Sequence, residues 1–89
     1  MRIKREMVLS EIGGVVVAVP VGESAELFHG IVRLNRTGAD IWEGLSKGLN
    51  QEEIAAGLVQ SYKNVDFETA LKEVNKVVAK LAEADLLEV

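Results

Sequence analysis

The sequence has no cysteine, one proline and one histidine among its 89 residues, and aromatic residues make up 4% of it. Without cysteine there is no disulfide framework, no thiolate metal site and no thiol redox chemistry. A core this small must then hold by packing alone, as suits a reducing cytoplasm. The single imidazole, His29, forms no His–Cys pair and belongs to no cluster with metal-ligand spacing. An excess of positive charge is missing too. Ten Lys and Arg against fourteen Asp and Glu give a net charge of −4, opposite in sign to the footprint that phosphate binding needs, which argues against nucleic acid. The clean apolar run Val15 to Val19 is far shorter than the roughly 20 residues that cross a bilayer. Arg2, Lys4 and Arg5 imitate the basic start of a signal peptide, but Glu11 and Gly13-Gly14 interrupt what would follow. The expectation is no export signal, no membrane partner and a cytoplasmic location.

What remains is 48% hydrophobic and 27% charged, the composition of a soluble folded chain. A chain of this length buries roughly 60–65% of its surface, enough for one core and one domain over residues 1–89.

Met7 to Ile12 and Val15 to Val19 are two β-branched runs around Gly13-Gly14, the signature of a two-residue hairpin turn. Pro20 cannot donate to a ladder and ends the second strand; Val21 to His29 reads as a connection with at most a helical turn. Gly30 to Leu34 reads as a third, short antiparallel strand. After Asn35 the apolar period lengthens. Thr37 with Asp40 predicts a helix start, Ile41, Trp42 and Leu45 its apolar face, and Gly48 its end. Asn50 with Glu53 starts a second helix running to about Tyr62, and Asp66 caps a third whose apolar positions recur from Phe67 to Leu81. No stop glycine follows, and Leu86 and Leu87 are expected to fold back onto the core. The predicted order is βββααα, an α+β fold with a three-stranded antiparallel sheet followed by three helices.

The chemistry of catalysis is absent from this pattern. Ser10, Ser24, Ser46 and Ser61 lack an activating base, and Gly38, Gly44 and Gly48 do not form a phosphate-cradling loop after a strand. Glu52, Glu53 and Glu73 fall on helix faces opposite the apolar stripes, where carboxylates are solvated. Trp42, in register with Leu45, reads as a core anchor rather than a stacking platform. No catalytic residue, metal or cofactor is expected.

Two features could bind a partner. The third strand is followed by helix, so its outer edge has no partner in sequence and is open to an added strand unless Arg33 blunts it. On a helical wheel the third helix also carries an uncharged shoulder of small residues, Leu71, Asn75, Val78, Ala79 and Ala82, with Lys72, Lys76 and Lys80 in a row beyond it. This reads either as helix propensity with Lys72 and Lys80 paired to Glu68 and Glu83, or as an apolar groove with a cationic rim.

Four segments together resemble a known family. They are Val19-Pro20-Val21-Gly22-Glu23-Ser24-Ala25, Phe28-His29-Gly30-Ile31, Leu34-Asn35-Arg36-Thr37-Gly38-Ala39-Asp40-Ile41-Trp42-Glu43 and Asn50-Gln51-Glu52-Glu53-Ile54-Ala55. The chain is similar over nearly its whole length to the PqqD family. The resemblance implies a winged-helix-like domain that is the recognition element for ribosomally made, modified peptides: a non-catalytic chaperone that takes the leader segment of a precursor peptide as an extra strand. It further implies presentation of that peptide to a modifying enzyme, such as a radical SAM protein. By position it implies a peptide site of Gly30, Ile31, Val32, Arg33 and Leu34 with Leu71, Asn75, Val78 and Ala82, and Lys76 on the rim. The chain has Arg36 and His29 where many members have Glu and Asn. It also lacks the Cys-Asp-Gly run of members serving pyrroloquinoline quinone synthesis, so that pathway is not assigned.

Two other functions fit the same elements: a winged-helix nucleic-acid binder that turns Lys72, Lys76 and Lys80 toward phosphates, and a homodimer paired through its edge strand.

Overall fold

The computed structural model describes residues 2–4, 7–22 and 32–88. The hairpin forms as its glycines require. β2 (Met7–Ile12) and β3 (Val15–Pro20) pair antiparallel, with Ile12 opposite Val15 across a turn in which Gly13 and Gly14 take φ of +58° and +82°. Two successive positive φ angles suit the right-handed twist of the flanking strands and are open to glycine without strain. β4 (Val32–Leu34) adds to β3 through the pairs Val16–Leu34, Val17–Arg33 and Ala18–Val32, so the sheet order is β2-β3-β4. Gly30 and Ile31, and most of the expected connection before them, lie outside the described residues.

Partners in an antiparallel ladder share a face. Leu9, Ala18 and Val32 therefore point one way together with Val16 and Leu34, toward the helices, and Ala18, Val32 and Leu34 are buried there. The opposite face carries Val8, Ile12, Val15 and Val19, all exposed, together with Arg33.

Three helices cover the inner face. α1 (Arg36–Ser46) starts two residues earlier than Thr37 and Asp40 predict: Asn35 is the N-cap, its Oδ1 accepting from the Gly38 N–H at 2.7 Å. Asparagine is among the strongest capping residues, and placed directly after β4 it captures the start before Thr37 can. The C-terminus follows expectation. Gly48 takes φ +81°, while the Leu49 N–H reaches the Gly44 carbonyl and the Gly48 N–H reaches that of Leu45, a Schellman ending. α2 (Gln51–Ser61) opens with the predicted Asn50–Glu53 capping box, and α3 (Phe67–Glu83) with Asp66, whose carboxylate accepts from the Thr69 N–H at 2.7 Å.

α3 has a stop after all. Asp85 adopts φ +60° and plays the part of the missing glycine, the Leu86 N–H bonding the Leu81 carbonyl and the Asp85 N–H that of Ala82. The reversal drives Leu86 and Leu87 into the core, as expected of them. It also creates two elements with no signal in sequence, a pair of two-residue strands: β1 (Arg2–Ile3) pairs with β5 (Leu87–Glu88), and the Lys4 ammonium meets the Asp85 carboxylate at 2.6 Å. The βββααα order is thus correct, with a small terminal clasp added.

The core gathers Ile41, Trp42 and Leu45 of α1, Ile54, Ala55 and Leu58 of α2, and Ala70, Val74 and Leu81 of α3 against the sheet. Trp42 is 3% exposed, the anchor its register predicted. α1 and α2 meet at Gly44, where a Cβ would come within 2.7 Å of Ile54 Cγ1, so only glycine allows that approach without a shift.

Candidate functional site

β4 has a strand neighbour on one side only: among the described residues nothing pairs with the edge away from β3. In an antiparallel ladder the N–H and C=O of one residue point to the same side and alternate along the strand. Either Arg33, or Val32 and Leu34, therefore offers its backbone pair outward.

Beside this strand, between it and α3, lies a cleft of about 230 Å³. One wall is the strand and the start of α1: Arg33, Leu34, Asn35 and Gly38. The other is one side of α3: Glu73, Lys76, Val77, Lys80 and Leu81. The local sequence explains its shape. Alternation in β4 turns Leu34 inward to the core and leaves Arg33 exposed at the rim. The Asn35 cap brings buried Gly38 against Leu34, where a Cβ would lie 3.0 Å from Asn35 Oδ1 and 3.5 Å from Leu34 Cβ, so this wall stays low. Leu34 and Leu81 are buried and Val77 is half-buried, which makes the floor apolar.

The rim is charged. Arg33, Glu73, Lys76 and Lys80 are all exposed, and none of them forms an ion pair among the described residues. The pairs of Lys72 with Glu68 and of Lys80 with Glu83, one of the two readings of this helix, are absent among those residues as well. Three cations against one carboxylate make this a basic corner on a chain whose net charge is −4.

The residues expected to bind divide sharply. Arg33, Leu34 and Lys76 line the cleft. Val32 does not line it, its side chain being in the core, and Gly30 and Ile31 fall outside the described residues. None of the expected residues of the small-residue shoulder of α3 lines this cleft. Asn75 Oδ1 accepts from Gln51 Nε2 at 2.7 Å at the start of α2, Leu71 and Val78 are half-buried against the core, and Ala82 is exposed without lining the cleft. The opposite shoulder, Glu73, Val77 and Lys80, takes that place. A helical wheel shows two shoulders beside one core stripe; which neighbour each meets depends on the path of the chain through space. The lysine row was the usable signal, since two of its three members, Lys76 and Lys80, reach the cleft.

Elsewhere the polar pairs serve structure. The Tyr62 hydroxyl donates to Asp40 Oδ2, tying the end of α2 to α1. That hydrogen bond, with burial and the Asp40 charge behind it, raises the phenol above its usual 10.0. Among the described residues no group of three or more His, Cys, Asp or Glu could hold a metal ion, and no helix is long and apolar enough to cross a membrane.

Against known proteins, the family model described as coenzyme PQQ synthesis protein D (PqqD) matches residues 6–87. A solved structure, TbiB1 in complex with the TbiA(beta) leader peptide, superposes with a TM-score of 0.75 at 27% sequence identity, covering 99% of this chain and 95% of that one. A comparison with curated proteins gave no significant match.

Proposed function

Because the chain belongs to the PqqD family, we propose that it is a leader-peptide recognition element that takes up the leader of a ribosomally made precursor peptide as an added antiparallel strand on β4. The observation that carries this reading is the edge of β4 that no described residue pairs with, directly beside the cleft of Leu34, Val77 and Leu81. Strand addition uses both features at once: backbone hydrogen bonds supply affinity without regard to sequence, and alternate side chains of the guest reach the cleft and supply selectivity. The similar TbiB1, in complex with a leader peptide, supports the same use of the fold here.

The chain itself carries out no chemistry on the peptide. It acts in the cytoplasm as a chaperone that presents the leader to a separate modifying enzyme, a radical SAM protein being the class the family suggests. A steep loss of affinity with salt, the mark of a nucleic-acid binder, is not expected.

The test is a titration with candidate precursor peptides followed by amide hydrogen exchange. New protection is expected in Val32–Leu34; protection confined to another element would remove the strand-addition reading. Mass analysis of the same mixtures should show the peptide unchanged until the modifying enzyme is added. A modified peptide without that enzyme would refute the non-catalytic role.

A further inference from the structure

We infer that the peptide accepted in the β4–α3 cleft carries acidic side chains at alternate positions, paired with Lys76 and Lys80. This rests on the strand-addition reading and specifies the chemistry of the guest. Lys76 and Lys80 stand one helical turn apart, about 6 Å along the axis at roughly 1.5 Å per residue. An extended chain advances about 6.6 Å over two residues and turns alternate side chains to one face. A guest running along this side of α3 therefore brings residues i and i+2 opposite the two ammonium groups together.

The charges are available for such a guest. Lys76, Lys80 and Arg33 make no ion pair among the described residues, and they stand around an apolar floor rather than over open surface. Glu73, one turn before Lys76, gives the rim a direction: the acidic pair belongs toward the C-terminal end of α3, and a guest residue facing Glu73 is basic or neutral. In a chain of net charge −4 this corner attracts an acidic segment that the remaining surface repels, which steers it onto the β4 edge.

The experiment selects binders from a displayed library of short random peptides, once with the parent chain and once with a variant carrying Lys76→Glu and Lys80→Glu. Both positions are exposed and Glu is a good helix former, so the variant should fold, as a thermal melt will show. Parent-selected peptides should be enriched in Asp or Glu at alternate positions, and the variant should select Lys or Arg there. Parent-selected peptides should bind the variant roughly tenfold or more weakly at low salt, with a smaller deficit at high salt. If they protect the β4 amides yet show no acidic enrichment, and bind the variant as well as the parent, the charge inference is wrong while strand addition stands. If the parent selects nothing, or its binders protect amides away from β4, both fail.

Discussion

Asn75 of α3 accepts a hydrogen bond from Gln51 of α2 at 2.7 Å, and this contact marks which way α3 faces. With the Asn75 shoulder set against α2, the side bearing Lys76, Val77 and Lys80 is left to face β4. The cleft therefore carries Lys76 and Lys80, with Glu73, in its wall rather than beyond a row of small residues.

That orientation separates two substitutions on α3. Val77→Gln, on the cleft floor, should weaken a bound leader by about tenfold, the equivalent of roughly 1.4 kcal/mol of lost apolar contact. Ala82→Glu, on the exposed shoulder outside the cleft, should leave affinity unchanged. Calorimetric titration of both variants with one leader peptide checks this, and equal losses would place the site elsewhere.

Trp42→Ala should unfold the domain or nearly so. Truncating a buried aromatic costs about 3–5 kcal/mol, against a total of about 5–15 kcal/mol for a typical domain, with small ones near the lower end. Denaturant melts followed by circular dichroism will measure the loss; a parent-like midpoint would show that Trp42 is not the anchor.

Two helical glycines should respond in opposite directions to alanine. At Gly57 a Cβ meets nothing within 4 Å, so Gly57→Ala should stabilise by about 0.5–1 kcal/mol through helix propensity. At Gly44 the new Cβ would press on the buried Ile54 side chain, and overpacking of about 1–3 kcal/mol should outweigh that gain. Thermal melts of the two variants on either side of the parent would bear this out.

Asp66 makes the third helix sensitive to acid. Its carboxylate accepts hydrogen bonds from Thr69, which with a lesser contribution from Lys72 hold its pKa below the usual 3.8 against the opposing effect of desolvation. Because the folded-state value is the lower one, the unfolded chain binds more protons as pH drops. The stabilisation is complete above the ordinary carboxylate value and is lost as pH falls through the folded one. Asp66→Asn keeps a capping oxygen but cannot titrate, so its melting temperature should fall less than the parent's between neutrality and about pH 3. Parallel curves would rule this out.

Much of the chain was legible before folding because its signals are local. Gly13-Gly14 encodes a turn, Asn50 with Glu53 a capping box and Asp66 a helix start, and the apolar spacing from Ile41 to Leu81 marks the faces that became the core. Each depends on residues a few positions apart, where backbone geometry alone sets the distance. That no described residue pairs with the outer edge of the third strand was legible for the same reason, since a helix follows it at once. Three features depended on parts of the chain distant in sequence. Asp85 could serve as a helix stop only where Leu86 and Leu87 had a core to enter, and its strand clasp joins residues at opposite ends of the chain. The identity of the cleft-facing side of α3 was decided last. Both shoulders flank the same buried stripe of Ala70, Val74 and Leu81, and only the packing of α2 against one of them left the other, with its lysines, to the strand.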